Sequence, residues 1–214
     1  DAGVEPGNIL VIDNGSSDGS AQQIRDQCQG GGLIELPENR GFAGGYNAGI
    51  QEALARGAQR LLLLNNDTVV HSEAIRVLLA ASWDVAVPKI LYYDEPKRIW
   101  SAGSRWRSFP PAVVMNGYQR LDHARYDRPQ PLEYATGCAL LVKRAVFDAV
   151  GGFDEVFENY NEDYDFSYRV STAGFQIGYV PEARVLHKVS RSLGEDSPQR
   201  WQYLGRSTVL FYGK

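Results

Sequence analysis

Apolar side chains come in unbroken runs along the first 82 residues, not in alternation with polar ones. "NILVID" (8–13), "GLIELP" (32–37) and "RLLLL" (60–64) are short and rich in branched or aliphatic residues, as strands covered on both faces require. Each is followed by a helical pattern: "AQQIRDQC" with Ser20 as its expected cap, "NRGFAGGYNAGIQEALARG" opening as a Gly-rich loop and stopping near Gly57, and "EAIRVLLAAS" started by Ser72. Strand and helix in alternation predict a parallel sheet covered by helices on both faces, an α/β class. The four leucines of "LLLLNNDTVV" (61–70) are expected to form the central strand of that sheet.

Residues 84–135 change character. They are aromatic- and Pro-containing with weak periodicity, so short strands ("DVAVPKI", "RIWSAGSRW", "VVMNGYQRL") and long loops are expected. "CALLVKRAVFDAVGGF" restores a strand and a helix. "NEDYDFSYRVSTAG" predicts a helix ended by Gly174, "QIGYVP" a strand, and "SPQRWQYLGRSTVLFYGK" a last helix. One domain over 1–214 follows, with halves 1–83 and 84–214.

Composition narrows the partners. Net charge is −4, from 22 basic and 26 acidic side chains, which offers no basic surplus for nucleic acid or anionic lipid. Cys28 and Cys138 make no disulfide framework and fit a reducing, cytoplasmic compartment. No apolar run approaches the roughly 20 residues of a membrane-spanning helix.

In sheets of this class ligands collect beyond the carboxyl ends of the strands, so polar residues there carry the candidate chemistry. Asp13–Asn14 could hydrogen-bond a base edge or ribose, or simply close an Asx-turn. Asn65–Asn66–Asp67 offers one carboxylate; a hard cation takes one or two of these plus phosphate oxygens, whereas a helix begun near Ser72 is too far for Asp67 to cap. "ENYNEDYDFSYRV" crowds Glu158, Glu162, Asp163 and Asp165. These acids would complement a helix dipole, and crowding would also raise proton affinity as a general base needs. His187 follows another expected strand; a lone His is more often structural than a ligand. The glycines at 41, 44, 45 and 49 do not match the dinucleotide fingerprint, and neither a P-loop nor a nucleophile elbow is present.

Taken in order, "VIDNGSSDGS", "NRGFAGGYNAGI", "LLLLNNDTVV", "GGFDEVFENYNEDYDFSYRV" and "VPEARVLH" resemble the family 2 inverting glycosyltransferases, in their bacterial rhamnosyltransferase-like branch. The resemblance implies a GT-A nucleotide-diphospho-sugar transferase fold, Rossmann-like and mostly parallel. It also implies a UDP- or dTDP-sugar donor and a saccharide or lipid-linked acceptor, with peripheral membrane association of the full-length protein at the inner face. Asp13 and Asn14 match the family's nucleotide-contacting strand end, and Asn39, Gly41 and Phe42 the loop beside the nucleotide. Asp67 matches the last acid of the metal motif, with Asn65 in place of its first, and His187 a histidine that helps hold Mg²⁺ or Mn²⁺. Asp163 matches the catalytic base, with Glu162 its neighbour. Trp100, Trp106 and Tyr118 are expected to shape the acceptor side. Relatives begin with an apolar strand and helix, so about 30 further residues are expected upstream by usual element lengths. Their lack could disable turnover. The rival expectation is therefore a sugar-nucleotide-binding domain without catalysis, and a nucleotidyltransferase comes after it.

Overall fold

The computed structural model describes residues 3–107, 112–157, 159–189 and 198–213; Glu158, one of the four crowded acids, lies outside them. The strands are β1 (Leu10–Asp13), β2 (Gly32–Glu35), β3 (Arg60–Leu64), β4 (Thr68–Val70), β5 (Val85–Tyr92), β6 (Ile99–Ser101), β7 (Ser104–Arg107), β8 (Ala112–Met115), β9 (Gln130–Leu132), β10 (Ala139–Lys143) and β11 (Ile177–His187). The helices are α1 (Ser20–Gln27), α2 (Gly41–Ala55), α3 (Ala74–Ala80), α4 (Arg144–Val150), α5 (Glu162–Thr172) and α6 (Pro198–Gly213). Among the described residues no helix is long and apolar enough to cross a membrane.

The main sheet runs in the order β3-β10-β5-β11-β4, with β6 added to β5 and β9 to β11. β5 and β11 are parallel, while β10 and β4 oppose their neighbours. Helices α2, α4 and α5 bury Ile50, Phe147, Phe166 and Val170 against Leu61, Leu63, Val85 and Leu140, while α3 packs Ala74 and Leu78 on the other face, against Ala86, Leu141 and Val180. The continuous apolar runs are thus explained: a strand with a helix layer on each side has no solvent face on which to place polar residues.

Several expectations change. The main sheet is mixed, not mostly parallel: among the described residues β5 and β11 pair in parallel and its other pairings are antiparallel. β3 is not central; it ends the path of the main sheet, and β1 pairs only with β2, in a separate parallel ladder. One edge of β1 and one of β3 thus lack a strand partner among the described residues, and α2 packs against both strands. The central position belongs to β5, buried from Val85 to Leu91 although the sequence reads there as a broken strand. Its Pro88 sits where pairing to β10 (Val85, Ala86) has ended and pairing to β6 (Ile90, Leu91) has not begun, so the missing N–H falls in a gap between ladders. Ser20 does not cap α1. It opens the helix, and Asp18 accepts from both its amide (3.0 Å) and its hydroxyl (2.5 Å).

Candidate active site

Asp67 is held by a turn. Asn65 N–H extends the β3–β10 ladder to Cys138 O (3.0 Å), and Asn65 O accepts from both the amide (3.2 Å) and the hydroxyl (2.6 Å) of Thr68. The chain doubles back into β4 at once, a strand not anticipated from sequence because "TVV" is too short to show a period. β4 pairs antiparallel with β11, setting Thr68 opposite His187, and Lys188 N–H donates to Asp67 O (2.9 Å). That register brings together two residues 120 positions apart: Asp67 Oδ1 lies 3.2 Å from His187 Nε2.

Both groups keep unused polar atoms. Asp67 Oδ1 and His187 Nδ1 are buried and have no aligned hydrogen-bond partner. Burial lowers the His187 pKa, against the opposing pull of Asp67, so the imidazole is neutral with a lone pair to give. These residues fit a divalent cation. Cis ligands on an octahedral ion with bonds of about 2.1 Å lie about 3 Å apart, close to the spacing here. Among the described residues no cluster of three or more His, Cys, Asp or Glu could hold an ion, so an ion bound here would complete its shell with ligand oxygens and water. Trp100 meets the His187 ring edge-on at 4.8 Å and walls this end of the site.

Glu162 and Asp163 begin α5, preceded by Tyr160 and Asn161 at positive φ (67° and 68°). Asp163 Oδ2 accepts from Gly137 N–H (3.0 Å) and from the Tyr134 hydroxyl. Burial raises its pKa, and these donors pull it back. Glu162 is only 5% exposed and its Oε2 has no donor; burial, then the charge of Asp163, push its pKa up to about 9. Asp165 is turned away into an ion pair with Arg169 (2.7 Å). The two carboxyls at the start of α5 are therefore distinguished: Asp163 is built to carry charge, and Glu162 to keep its proton.

The two ends are close enough to act on the same side chains. The buried Cys138 thiol is pushed up by burial and by the charges of Asp67 and Asp163, and the Tyr46 hydroxyl by burial and by Cys138, Asp67 and Glu162. Tyr46 donates to Asn65 Oδ1 (2.9 Å) and its ring lies 4.5 Å from Phe42, so Asn65 serves as an acceptor for tyrosine. A Cβ on Gly137 would come within 3.0 Å of the Phe42 ring, and one on Gly45 within 3.1 Å of the Asn14 side chain. Both glycines keep this corner tight.

The nucleotide-side candidates are gathered there too, though engaged with each other. Asn14 accepts from Arg40 N–H (3.0 Å) and donates to Gly41 O (2.8 Å) and Asn39 Oδ1 (3.2 Å); Asn39 Oδ1 also accepts from Gly41 N–H (2.9 Å). Asp13, 6% exposed, accepts from Ser16 N–H (3.3 Å), a local turn contact. Trp106 packs on Tyr164 (6.2 Å), the residue after Asp163, and on Phe211 (5.8 Å) of α6. Tyr118 lies 6.5 Å from the ring of Tyr92, which stands opposite His187 in the β5–β11 pairing. Tyr46, Tyr134 and Gly137 were missed: tyrosine in a helix or before a strand reads as core, and only the fold brings them to the acids.

The profile of glycosyl transferase family 2 matches residues 5–151, and that of glycosyl transferase family 21 matches residues 129–211. An N-acetylglucosaminyl-diphospho-decaprenol L-rhamnosyltransferase of Mycobacterium tuberculosis is 28% identical over 233 residues, covering 96% of this chain and 74% of its own. A low-salt glycan biosynthesis hexosyltransferase of Haloferax volcanii is 25% identical, over 84% of this chain and 58% of its own. Among solved structures, GalNAc-T7 with UDP, GalNAc and Mn²⁺ superposes with a TM-score of 0.64 at 18% identity, over 85% of this chain and 38% of that one.

Proposed function

The chain belongs to glycosyl transferase family 2 and has the GT-A fold, and from that premise we propose that it is an inverting, metal-assisted transferase with Asp163 as its general base. The donor is a nucleotide-diphospho-sugar, UDP- or dTDP-linked, and the acceptor a saccharide or lipid-linked sugar. A rhamnosyltransferase and a polysaccharide synthase among its relatives support a place in envelope glycan assembly. The observation that carries the reading is the unequal treatment of Glu162 and Asp163, near enough to the Asp67–His187 pair that Cys138 feels the charge of both Asp67 and Asp163.

Asp163 takes the proton of the acceptor hydroxyl as that oxygen bonds to the anomeric carbon. The bond from that carbon to the diphosphate breaks on the opposite face, and the nucleoside diphosphate leaves with the electron pair. One displacement inverts the configuration. Asp67 and His187 would hold Mg²⁺ or Mn²⁺, which when bound offsets the charge growing on the diphosphate. Asp13, Asn14 and the 39–42 loop would line the nucleotide, with Asn14 fixing the loop. Trp106 stands where an acceptor sugar would meet an aromatic face.

A panel of UDP-glucose, UDP-N-acetylglucosamine, UDP-galactose and dTDP-rhamnose, assayed for hydrolysis and transfer with Mn²⁺, tests the reading. Asp163→Asn should cut turnover about 10²- to 10⁴-fold and leave donor affinity intact, and NMR of the product should show the inverted anomer. A retained anomer, or full turnover without Asp163, would falsify the mechanism. Donor binding without turnover would favour the binding-domain alternative. Asp67→Ala should abolish the Mn²⁺ dependence of donor binding by calorimetry; an unchanged dependence would remove Asp67 from the metal site.

A further inference from the structure

The two donors that the 134–137 segment sends to Asp163 converge on one oxygen, and the amides of Asp163 and Tyr164 at the start of α5 add to them. Gly137 N–H and the Tyr134 hydroxyl donate to Oδ2. A carboxylate's terminal torsion is broad and roughly two-fold, so an unrestrained Asp would exchange its oxygens. Two donors on Oδ2 end that exchange.

The donors are themselves fixed. Ser167 Oγ accepts from Ala135 N–H (3.0 Å) and donates to Asp163 O (2.7 Å), tying the 134–137 segment to the first turn of α5. A bridge from Ser104 holds Tyr134 from the other side, and its ring stands edge-on to Tyr164 at 4.7 Å. Tyr134 is 7% exposed. Burial, then the charge of Asp163, keep its phenol protonated, so it stays a donor.

We propose that Tyr134 is a positioning residue for the general base: with Gly137 N–H it occupies Asp163 Oδ2 and leaves Oδ1 as the oxygen that receives the acceptor's proton. The inference rests on the reading of Asp163 as base. It assigns the phenol a part beyond packing, because a ring alone would fill the same space.

Tyr134→Phe removes one hydroxyl and keeps the ring. With the panel donor that turns over best, kcat should fall about tenfold or more, as expected for a hydrogen bond to a charged group, with donor KM unchanged. The acidic limb of the kcat–pH profile should move up, and the ¹³C-carboxyl titration of Asp163, followed without any ligand, should move with it. The groups that share this environment are Glu162 and Tyr164 on α5, and Tyr134 and Cys138 from the segment before β10. Difluorotyrosine at 134, a stronger donor of nearly the same shape, should move both readings down. If Tyr134→Phe changes stability but neither kcat nor either titration, the residue only packs and the proposal is overturned. If Asp163→Asn itself keeps full turnover, the reading of the base fails first, and the inference with it.

Discussion

Glu162 and Asp163 are adjacent acids, and what separates them is the supply of donors. Asp163 has two on Oδ2, while Glu162 Oε2 is buried with none. The folded protein therefore binds a proton at Glu162 that the unfolded chain, with an ordinary value of 4.5, releases. Stability from this group is whole below about pH 4.5 and is lost as pH rises toward about 9. Urea midpoints from pH 5 to 9 should fall more steeply for the wild type than for Glu162→Gln, which carries a neutral group at every pH. Parallel curves would mean that Glu162 is ionised in the fold. At this scale the acids after β3 and at the start of α5 stood out as candidates against the apolar runs, whereas Asp163 among its neighbours, and His187, were singled out by the family resemblance. Their supporting residues were not. Tyr134, Tyr46 and Gly137 act by where they are placed, and placement comes from pairing between distant segments.

Elements announced by continuous apolar runs were legible as well; those depending on partners were not. β4 is three residues that exist because β11 offers an edge, and β5 is long although it contains Pro88. A charged side chain in the middle of that strand, Lys89, is fully buried. It pairs with Asp122 (2.8 Å) and Asp127, whose side chains are 16% and 49% exposed, and so pins the 122–127 segment to the sheet. The asymmetry in exposure decides which change hurts. Asp122→Asn with Asp127→Asn leaves a buried ammonium uncompensated, which costs about 3–5 kcal/mol. Lys89→Met leaves carboxylates that water still reaches, so its cost should be smaller. Urea unfolding of the two variants checks the order, and a Lys89→Met loss equal to or above the double variant's would contradict it.

For the whole molecule, the division into two ladders has a dynamic consequence. Among the described residues β1 and β2 pair only with each other, and no residue of β1 except Asp13 is buried. The main sheet is covered on both faces, with β5 buried almost throughout. Ladders with few buried contacts open at lower free energy than the core. Amides in 10–13 and 32–35 should therefore exchange with solvent faster than those of β5 and β10. Asp13, Asn14 and the 39–42 loop belong to the looser part, so a donor bound against them should slow exchange there and hardly touch β5. An apolar strand laid between the open edges of β1 and β3, beneath α2, would join the ladders into one sheet. We expect a polypeptide carrying such an upstream strand to lose the difference in exchange and to bind its donor more tightly, since less ordering would remain to be done on binding. Hydrogen-exchange mass spectrometry of the chain alone, with UDP and Mn²⁺, and extended upstream reads all three states. Equal exchange in both ladders of the unextended chain would mean that α2 alone suffices to couple them.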